Sequence, residues 1–308
     1  MTDGVTTELT ELISLRRYAE RGSYRSQGRS SSYGLRLSKL RGRGMDFAEV
    51  RNYQAGDEIR HMEWRVTART GKPHIKIYEE ERERPVIILA DFNPSVYFGT
   101  RIAFKSVVLA RLAAILAWSV VVEGDRVGGL LFSRATHHEF LPRSREFGVL
   151  PFLAALSQYT QELPPSSAQG SNEKSSLSYA LQRLRRVVKP GSMIVLISDF
   201  YSMDKESEPL LSRLCSHNDI MAYQLCDPLE IAPPEPAQYA ITDGQQELLL
   251  DTTAKSITDA YSYYCEQRQQ NLQRIFHRLQ IPYIQVTAET NLALLVRQTF
   301  LRRYHGKK

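Results

Sequence analysis

The sequence predicts an α/β domain with a doubly wound, mostly parallel β-sheet and helices on both of its faces. Two observations predict this fold. Residues 86–90 and 193–198 are almost wholly apolar and rich in β-branched side chains, which is typical of parallel strands buried on both faces. Further strand-like runs alternate with segments of helical length, and this alternation favours parallel strands joined by right-handed helical crossovers.

The individual elements follow from the spacing of apolar residues and from the turns between them. Leu9, Leu12 and Ile13 lie at helical spacing and predict a short N-terminal helix. The other predicted helices are residues 102–122, 145–159, 175–188, 204–217, 256–279 and 291–304. The other predicted strands are residues 74–78, 125–132, 136–141, 220–226 and 283–287, with a hairpin over residues 239–250.

Three segments are expected along the chain. Residues 1–33 are predicted to be an N-terminal helix followed by a basic, flexible arm, because Ser, Arg and Gly dominate the second half of this segment. Residues 34–84 are predicted to be an irregular, β-containing extension that packs on the main domain of residues 85–308. In this extension we favour a buried ion-pair network that fixes it to the main domain over a polar recognition surface, and we expect Trp64 to be a packing anchor.

Composition places the chain among cytoplasmic globular proteins. Of its 308 residues, 42% are hydrophobic and 24% are charged, an ordinary globular balance, and the net charge of +6 permits an acidic partner. The three cysteines are scattered, so free thiols in a reducing compartment are expected. The longest apolar stretch, residues 106–122, contains Arg111 and predicts a buried helix, so no membrane-spanning segment is expected.

Two carboxylates, Asp91 and Asp199, directly follow the two most apolar strands. Ligands of parallel sheets bind beyond the carboxyl ends of the strands, where these acids are expected to lie. Asn93 and Ser95 add oxygen donors in the loop after Asp91, and oxygen ligands suit a hard divalent cation such as Mg²⁺. The alternative is that both acids only accept hydrogen bonds from backbone N–H groups of their own loops.

This pattern resembles the metal-ion-dependent adhesion site of von Willebrand factor A domains, which has an Asp-x-Ser-x-Ser loop, a Thr from a second loop and a later Asp. Asp91, Ser95 and Asp199 match by position and type, Asn93 replaces the first Ser, and Ser175 lies nearest to the expected Thr. The resemblance implies a von Willebrand factor A-like fold and a bound Mg²⁺ or Mn²⁺. It also implies that an acidic side chain of a partner completes the coordination of the ion.

A longer signature upstream resembles the bacterial domain of unknown function 58 family, strongly over residues 36–100 and more weakly to about residue 290. That family is associated with MoxR-type AAA+ ATPases, so the resemblance implies such an ATPase, with its client protein, as the partner. The matching residues are Gly44, Asp46, Phe47, Glu49, Val50, Arg51, Tyr53, Gly56, Asp57, Arg60, Trp64, Thr67, Ala68, Arg69 and the run 76–84.

The leading hypothesis is therefore a non-enzymatic interaction protein, because the sequence has no P-loop, nucleophile elbow, zincin motif or dinucleotide-binding loop. A metal-assisted phosphoryl-transfer or hydrolytic enzyme that uses the same acids is the second hypothesis. Nucleic-acid binding through the basic arm, which contains Tyr18, Tyr24 and Tyr33, ranks last. The sequence does not reveal the oligomeric state.

Overall fold

The computed structural model describes residues 4–19, 45–54, 56–80, 85–134, 136–162, 176–242 and 247–301. Most of the predicted basic arm and Ser175 lie outside the described residues. The described chain forms two compact units, one of residues 4–19 with residues 85–301 and a smaller one of residues 45–80. The predicted division into three segments stays a prediction.

The strands are β1 (Met45–Asn52), β2 (His74–Glu80), β3 (Val86–Asp91), β4 (Arg126–Phe132), β5 (His137–Ser144), β6 (Met193–Ser198), β7 (Asp219–Leu225), β8 (Gln238–Thr242), β9 (Glu247–Asp251) and β10 (Tyr283–Val286). The helices are α1 (Leu9–Ser14), α2 (Trp64–Thr70), α3 (Lys105–Val122), α4 (Glu146–Gln161), α5 (Leu177–Val187), α6 (Ser207–Cys215), α7 (Pro228–Ile231), α8 (Lys255–Arg278) and α9 (Leu292–Val296). A π-helical turn, Arg297–Leu301, continues α9.

The larger unit is built on a six-stranded sheet with the order β10-β7-β6-β3-β4-β5. All neighbouring strands are parallel except β5, which runs antiparallel to β4 at one edge. Alternate residues of β3, β6 and β7 enter two separate apolar cores. One core packs against α1, α3, α4 and α9, and the other against α5, α6 and α8. The predicted α/β architecture with a mostly parallel sheet and helices on both faces is thus confirmed.

Helix α3 occupies the centre of the first core. Among the described residues it is the one helix long and apolar enough to cross a membrane, with a mean hydropathy of 1.8, and 83% of its residues are buried. It is apolar on all sides because the sheet covers one face and other helices cover the rest. Arg111 is accommodated by an ion pair with Glu11 of α1, whose Oε1 lies 2.6 Å from Nε. The predicted buried helix is confirmed.

The smaller unit is an antiparallel pair of strands, β1 and β2, with α2 between them in the chain. The sequence predicted β2, but not β1 or α2, within its irregular extension. Two ion pairs form within this unit, Arg51 with Asp57 and Lys76 with Glu63, and all four side chains are partly exposed, so the favoured buried network stays a prediction. The expectation that Trp64 is a packing anchor was wrong. Trp64 is the first residue of the short helix α2, and it is 66% exposed.

Candidate functional site at the carboxyl edge of the sheet

Asp91 and Asp199 lie at the ends of neighbouring strands. Strands β3 and β6 are paired in parallel, with Ala90 opposite Ile197, so both acids leave the sheet at the same edge. Both are fully buried. The predicted proximity follows from the strand order, because β6 crosses back to pair directly with β3.

Asp91 is surrounded by uncharged hydrogen-bond donors. Its Oδ1 accepts hydrogen bonds from the backbone N–H and Nδ2 of Asn93, at 3.0 and 2.7 Å. Its Oδ2 accepts from the hydroxyls of Ser198 and Ser202, at 2.7 and 2.6 Å. Burial and, as a lesser cause, the nearby charge of Asp199 raise the pKa of Asp91 to about 6, although these hydrogen bonds act to lower it. Additional positive charge beside this carboxylate would therefore stabilise its ionised form.

Asp199 is held by a lysine. Nζ of Lys105, the first residue of α3, lies 2.9 Å from Oδ2 of Asp199 and 2.6 Å from Oε1 of Glu230. The side chain of Lys105 is only 4% exposed. Burial by itself lowers the pKa of Lys105, but the charges of Asp199 and Glu230 outweigh burial and raise it. The ammonium is therefore a permanent cation of this site.

Glu230 extends the network to the short helix α7. Asp227 and Glu230 form a capping box, in which Oε2 of Glu230 accepts a hydrogen bond from the N–H of Asp227 at 2.9 Å. Asp227 also accepts hydrogen bonds from the backbone N–H and the hydroxyl of Thr100, at 2.9 and 2.8 Å. The end of β7 is thereby tied to the loop that leads into α3.

Aromatic side chains form the outer rim of the site. Nζ of Lys105 lies 5.5 Å from the centre of the Tyr201 ring and 6.0 Å from that of Phe98. Arg268 of α8 also stacks on the Tyr201 ring, with its guanidinium carbon 3.5 Å from the ring centre. Its guanidinium donates a hydrogen bond to the carbonyl of Asp199 at 2.6 Å. Phe98 and Tyr201 are 38% and 43% exposed, so the rim can be touched from solvent.

The structure brings together Asp91, Asn93 and Asp199 among the predicted site residues. Ser95 is half-buried in the short turn Pro94–Val96 of the same loop. Ser175 lies outside the described residues, but the next residues reach the site, since the N–H of Leu177 donates to the carbonyl of Ser202 at 2.8 Å. The start of α5 is thus bonded to the same residue, Ser202, whose hydroxyl donates to Asp91.

The alternative expectation, that both acids accept hydrogen bonds from their own loops, is also found. Asp91 accepts from the N–H of Asn93, and Asp199 accepts from the N–H of Tyr201 at 3.2 Å. These loop bonds use only part of each carboxylate. The remaining contacts come from Ser198, Ser202 and Lys105, so the two acids do more than order their own loops.

The side chains that contact Asp91 are those of two serines and an asparagine, and hydroxyl and amide oxygens are atom types that a hard divalent cation accepts as ligands. Mg²⁺ commonly takes one or two protein carboxylates and keeps several waters. Within the described ranges no group of three or more His, Cys, Asp or Glu residues could hold a metal, so any ion here would depend on hydroxyl, amide and water ligands. Binding of Mg²⁺ or Mn²⁺ stays a prediction.

Four residues around the acids, Lys105, Ser198, Ser202 and Glu230, were not predicted from the sequence, and neither were Phe98 and Tyr201 of the rim. One signal for Lys105 was present, because it is a lysine at the head of an otherwise almost wholly apolar helix. A buried cation requires a buried anion, and this requirement could have linked it to one of the strand-end acids. The two serines and Glu230 carry no such signal, since polar residues are common in loops after strands.

A family model described as "Protein of unknown function DUF58" matches residues 49–271. Two similar curated proteins are uncharacterized protein Rv1480 of Mycobacterium tuberculosis (strain ATCC 25618 / H37Rv) and uncharacterized protein Mb1516 of Mycobacterium bovis (strain ATCC BAA-935 / AF2122/97). Each is 27% identical over 213 residues, which cover 69% of this chain and 65% of the relative. The chain thus spans less than two thirds of the length of these relatives.

Solved structures with a similar trace include the conserved hypothetical protein BatB from Bacteroides thetaiotaomicron. It is 14% identical with a TM-score of 0.44, covering 73% of this chain and 100% of the BatB chain. A von Willebrand factor type A protein from Catenulispora acidiphila is 13% identical with a TM-score of 0.30, covering 49% of this chain and 35% of its own.

Proposed function

The chain belongs to the DUF58 protein family, and we propose that it is a non-enzymatic interaction module whose partner binds at the carboxyl edge of the main sheet. The observation that carries the proposal is the pair of exposed rings, Phe98 and Tyr201, above the buried charges of Lys105 and Asp199. Aromatic side chains that are partly exposed to solvent and contact buried groups beneath them are typical of the centres of protein interfaces.

We further propose that the larger unit is a von Willebrand factor A-like domain with a degenerate adhesion site. The support is the position of the acids, one after β3 and one after the adjacent strand β6. In this proposal Asp91, Asn93 and Ser95 would hold Mg²⁺ or Mn²⁺, and Ser175 and Asp199 would contribute directly or through water. When bound, such an ion offers a coordination position to an acidic side chain of the partner.

The proposed partner is a MoxR-type AAA+ ATPase, with its client, in the cytoplasm, and the chain would be its adaptor or co-chaperone. This part of the proposal rests on the resemblance of the family signature. A non-enzymatic role is supported by the sequence, which has no P-loop, nucleophile elbow, zincin motif or dinucleotide-binding loop.

Binding of a purified MoxR-type ATPase from the same cells, measured by interferometry, tests the interaction surface. Phe98→Ala and Tyr201→Ala are each expected to weaken binding by about tenfold or more, because interface aromatics carry a large share of the binding energy. Phe147→Ala is the matched control. Phe147 is 80% exposed at the start of α4, which follows Ser144 and therefore lies at the opposite edge of the sheet.

Equal binding by all of these variants would contradict the proposed surface, as would a loss confined to Phe147→Ala. The metal part is tested separately by calorimetric titration of Mn²⁺ into the isolated chain, with Asp91→Ala as the comparison and Glu206→Gln, an exposed acid, as the control. Identical traces without heat for wild type and Asp91→Ala would remove the ion from the proposal. Clear turnover of phosphoesters that depends on Asp91 would favour the hydrolytic alternative instead.

A further inference from the structure

Lys105 is placed where a lysine is least favourable. It is the first residue of an 18-residue helix, the end at which the helix dipole repels a cation, and its side chain is almost fully removed from water. A residue in this position is retained only if anions offset both costs. Asp199 and Glu230 do so, and they come from two different strand ends of the sheet.

The two strand-end acids are therefore not equivalent. Asp199 already has a cation in direct contact at 2.9 Å. Among the described residues, Asp91 is held only by the uncharged donors of Asn93, Ser198 and Ser202. A divalent cation shared by both acids would meet these neutral hydrogen-bonding groups on the Asp91 side and an ammonium on the Asp199 side.

We propose that Lys105 is a resident cation that competes with a divalent metal ion for Asp199 and thereby weakens metal binding at this site. The proposal deepens the proposed function and rests on it in one respect, because it requires the ion to bind beside Asp91. The ammonium and the ion repel each other and use the same carboxylate, so occupancy by one lowers the occupancy of the other.

Glu230 supplies the position to which Lys105 retreats. When the ion engages Asp199, the ammonium keeps its 2.6 Å contact with Glu230 and loses its contact with Asp199. Glu230 and Asp227 form the capping box of α7. Asp227 also accepts a hydrogen bond from the hydroxyl of Thr100, which lies in the same loop as Phe98. Because Lys105 also lies beneath the rings of Phe98 and Tyr201, its shift reaches the proposed docking rim.

The test is a calorimetric titration of Mn²⁺ alone into the full chain at pH 7.5, for wild type and Lys105→Gln. The variant is expected to bind Mn²⁺ about tenfold more tightly or better, because no charge-assisted hydrogen bond has to be broken. Lys189→Gln is the matched control, since Lys189 is exposed and precedes the opposite end of β6. Equal affinity of Lys105→Gln and wild type overturns the proposal, as does an absence of binding by both.

A double variant, Lys105→Gln with Glu230→Gln, separates competition from a general change in charge. It removes one positive and one negative charge, and Gln at position 230 can still accept the hydrogen bond from Asp227. It leaves only Asp199 as a buried carboxylate without its cation, whereas the single variant leaves both Asp199 and Glu230. Tighter Mn²⁺ binding by the double variant supports direct competition, and wild-type affinity overturns it.

These titrations use no partner protein. Failure of the interaction proposal, seen as partner binding that ignores Phe98 and Tyr201, therefore leaves the result for Lys105 unaffected. As a second readout, Mn²⁺ is expected to raise the thermal midpoint of Lys105→Gln more than that of wild type, because a ligand stabilises the folded state according to its affinity. A smaller rise in the variant counts against the proposal.

Discussion

Cys226 illustrates how the charged network shapes the chemistry of a single side chain. It directly follows β7 and is almost fully buried, and burial, with the charge of Glu230 as a lesser cause, raises the pKa of its thiol to about 12. Burial also raises the pKa of the Cys265 thiol, whereas Cys215 at the end of α6 is only half-buried. All three cysteines are described and none forms a disulfide, which agrees with the expected free thiols.

The three thiols should therefore differ in reactivity. In the native chain at pH 8, iodoacetamide is expected to label Cys215 first and Cys226 last, because only the thiolate reacts and Cys226 remains protonated. Mass spectrometry of tryptic peptides over time measures the order, and labelling in urea provides the control in which all three react at similar rates. Rapid native labelling of Cys226 would contradict its burial beneath the site.

The short N-terminal helix α1 packs more extensively against the core than its modest apolar face suggests. Leu12 is fully buried against α3, and Nε1 of Trp118 donates a hydrogen bond to the carbonyl of Leu12 at 3.0 Å. The ion pair between Glu11 and Arg111 adds a polar contact between the same two helices. Six residues are too few for a stable isolated helix, so α1 depends on these contacts.

Leu12→Ala should accordingly lower the free energy of unfolding by about 2–5 kcal/mol, the usual cost of removing a buried leucine side chain. A Trp64→Phe background leaves Trp118 as the only tryptophan, so its fluorescence in urea reports on the contact directly. Ile13→Ala on the same helix, at a more exposed position, is the control and should cost much less. Equal costs for the two substitutions would show that α1 is not anchored by Leu12.

For the chain as a whole, the main question is whether α3 is a core helix or a membrane-spanning one, because its length and hydropathy fit both. Its residues instead form the centre of a core that includes the sheet, α1, α4 and α9. Exposing this helix to lipid would require that entire core to open. The proposed location in the cytoplasm requires α3 to remain in this core.

Fractionation of cells that express the chain tests that proposal. The chain is expected in the supernatant after ultracentrifugation, because α3 has no free apolar surface to insert into a bilayer. A tagged integral membrane protein and a tagged cytosolic enzyme serve as controls. Recovery in a membrane pellet that resists carbonate extraction would contradict the proposed location.

The sequence by itself determined most elements of the larger unit, α7 being an exception, and the edge at which its acids gather. Apolar runs and helical spacing are local properties, so β3, β6, α3 and α8 could be predicted to within a few residues. The position of Asp91 and Asp199 followed from a general rule for parallel sheets. In the smaller unit β1 was missed, because its charged and apolar residues do not alternate cleanly and its pairing with β2 is not a local property.

Only the tertiary structure decided what each acid contacts. Lys105 lies 94 residues from Asp199 and 125 from Glu230 along the chain, and Ser202 lies 111 residues from Asp91. These contacts depend on the order of the strands and on the position of α3 across the sheet, which no local pattern encodes. The same long-range packing turned a predicted adhesion-type acid pair into a site in which one acid is already neutralised by a buried lysine.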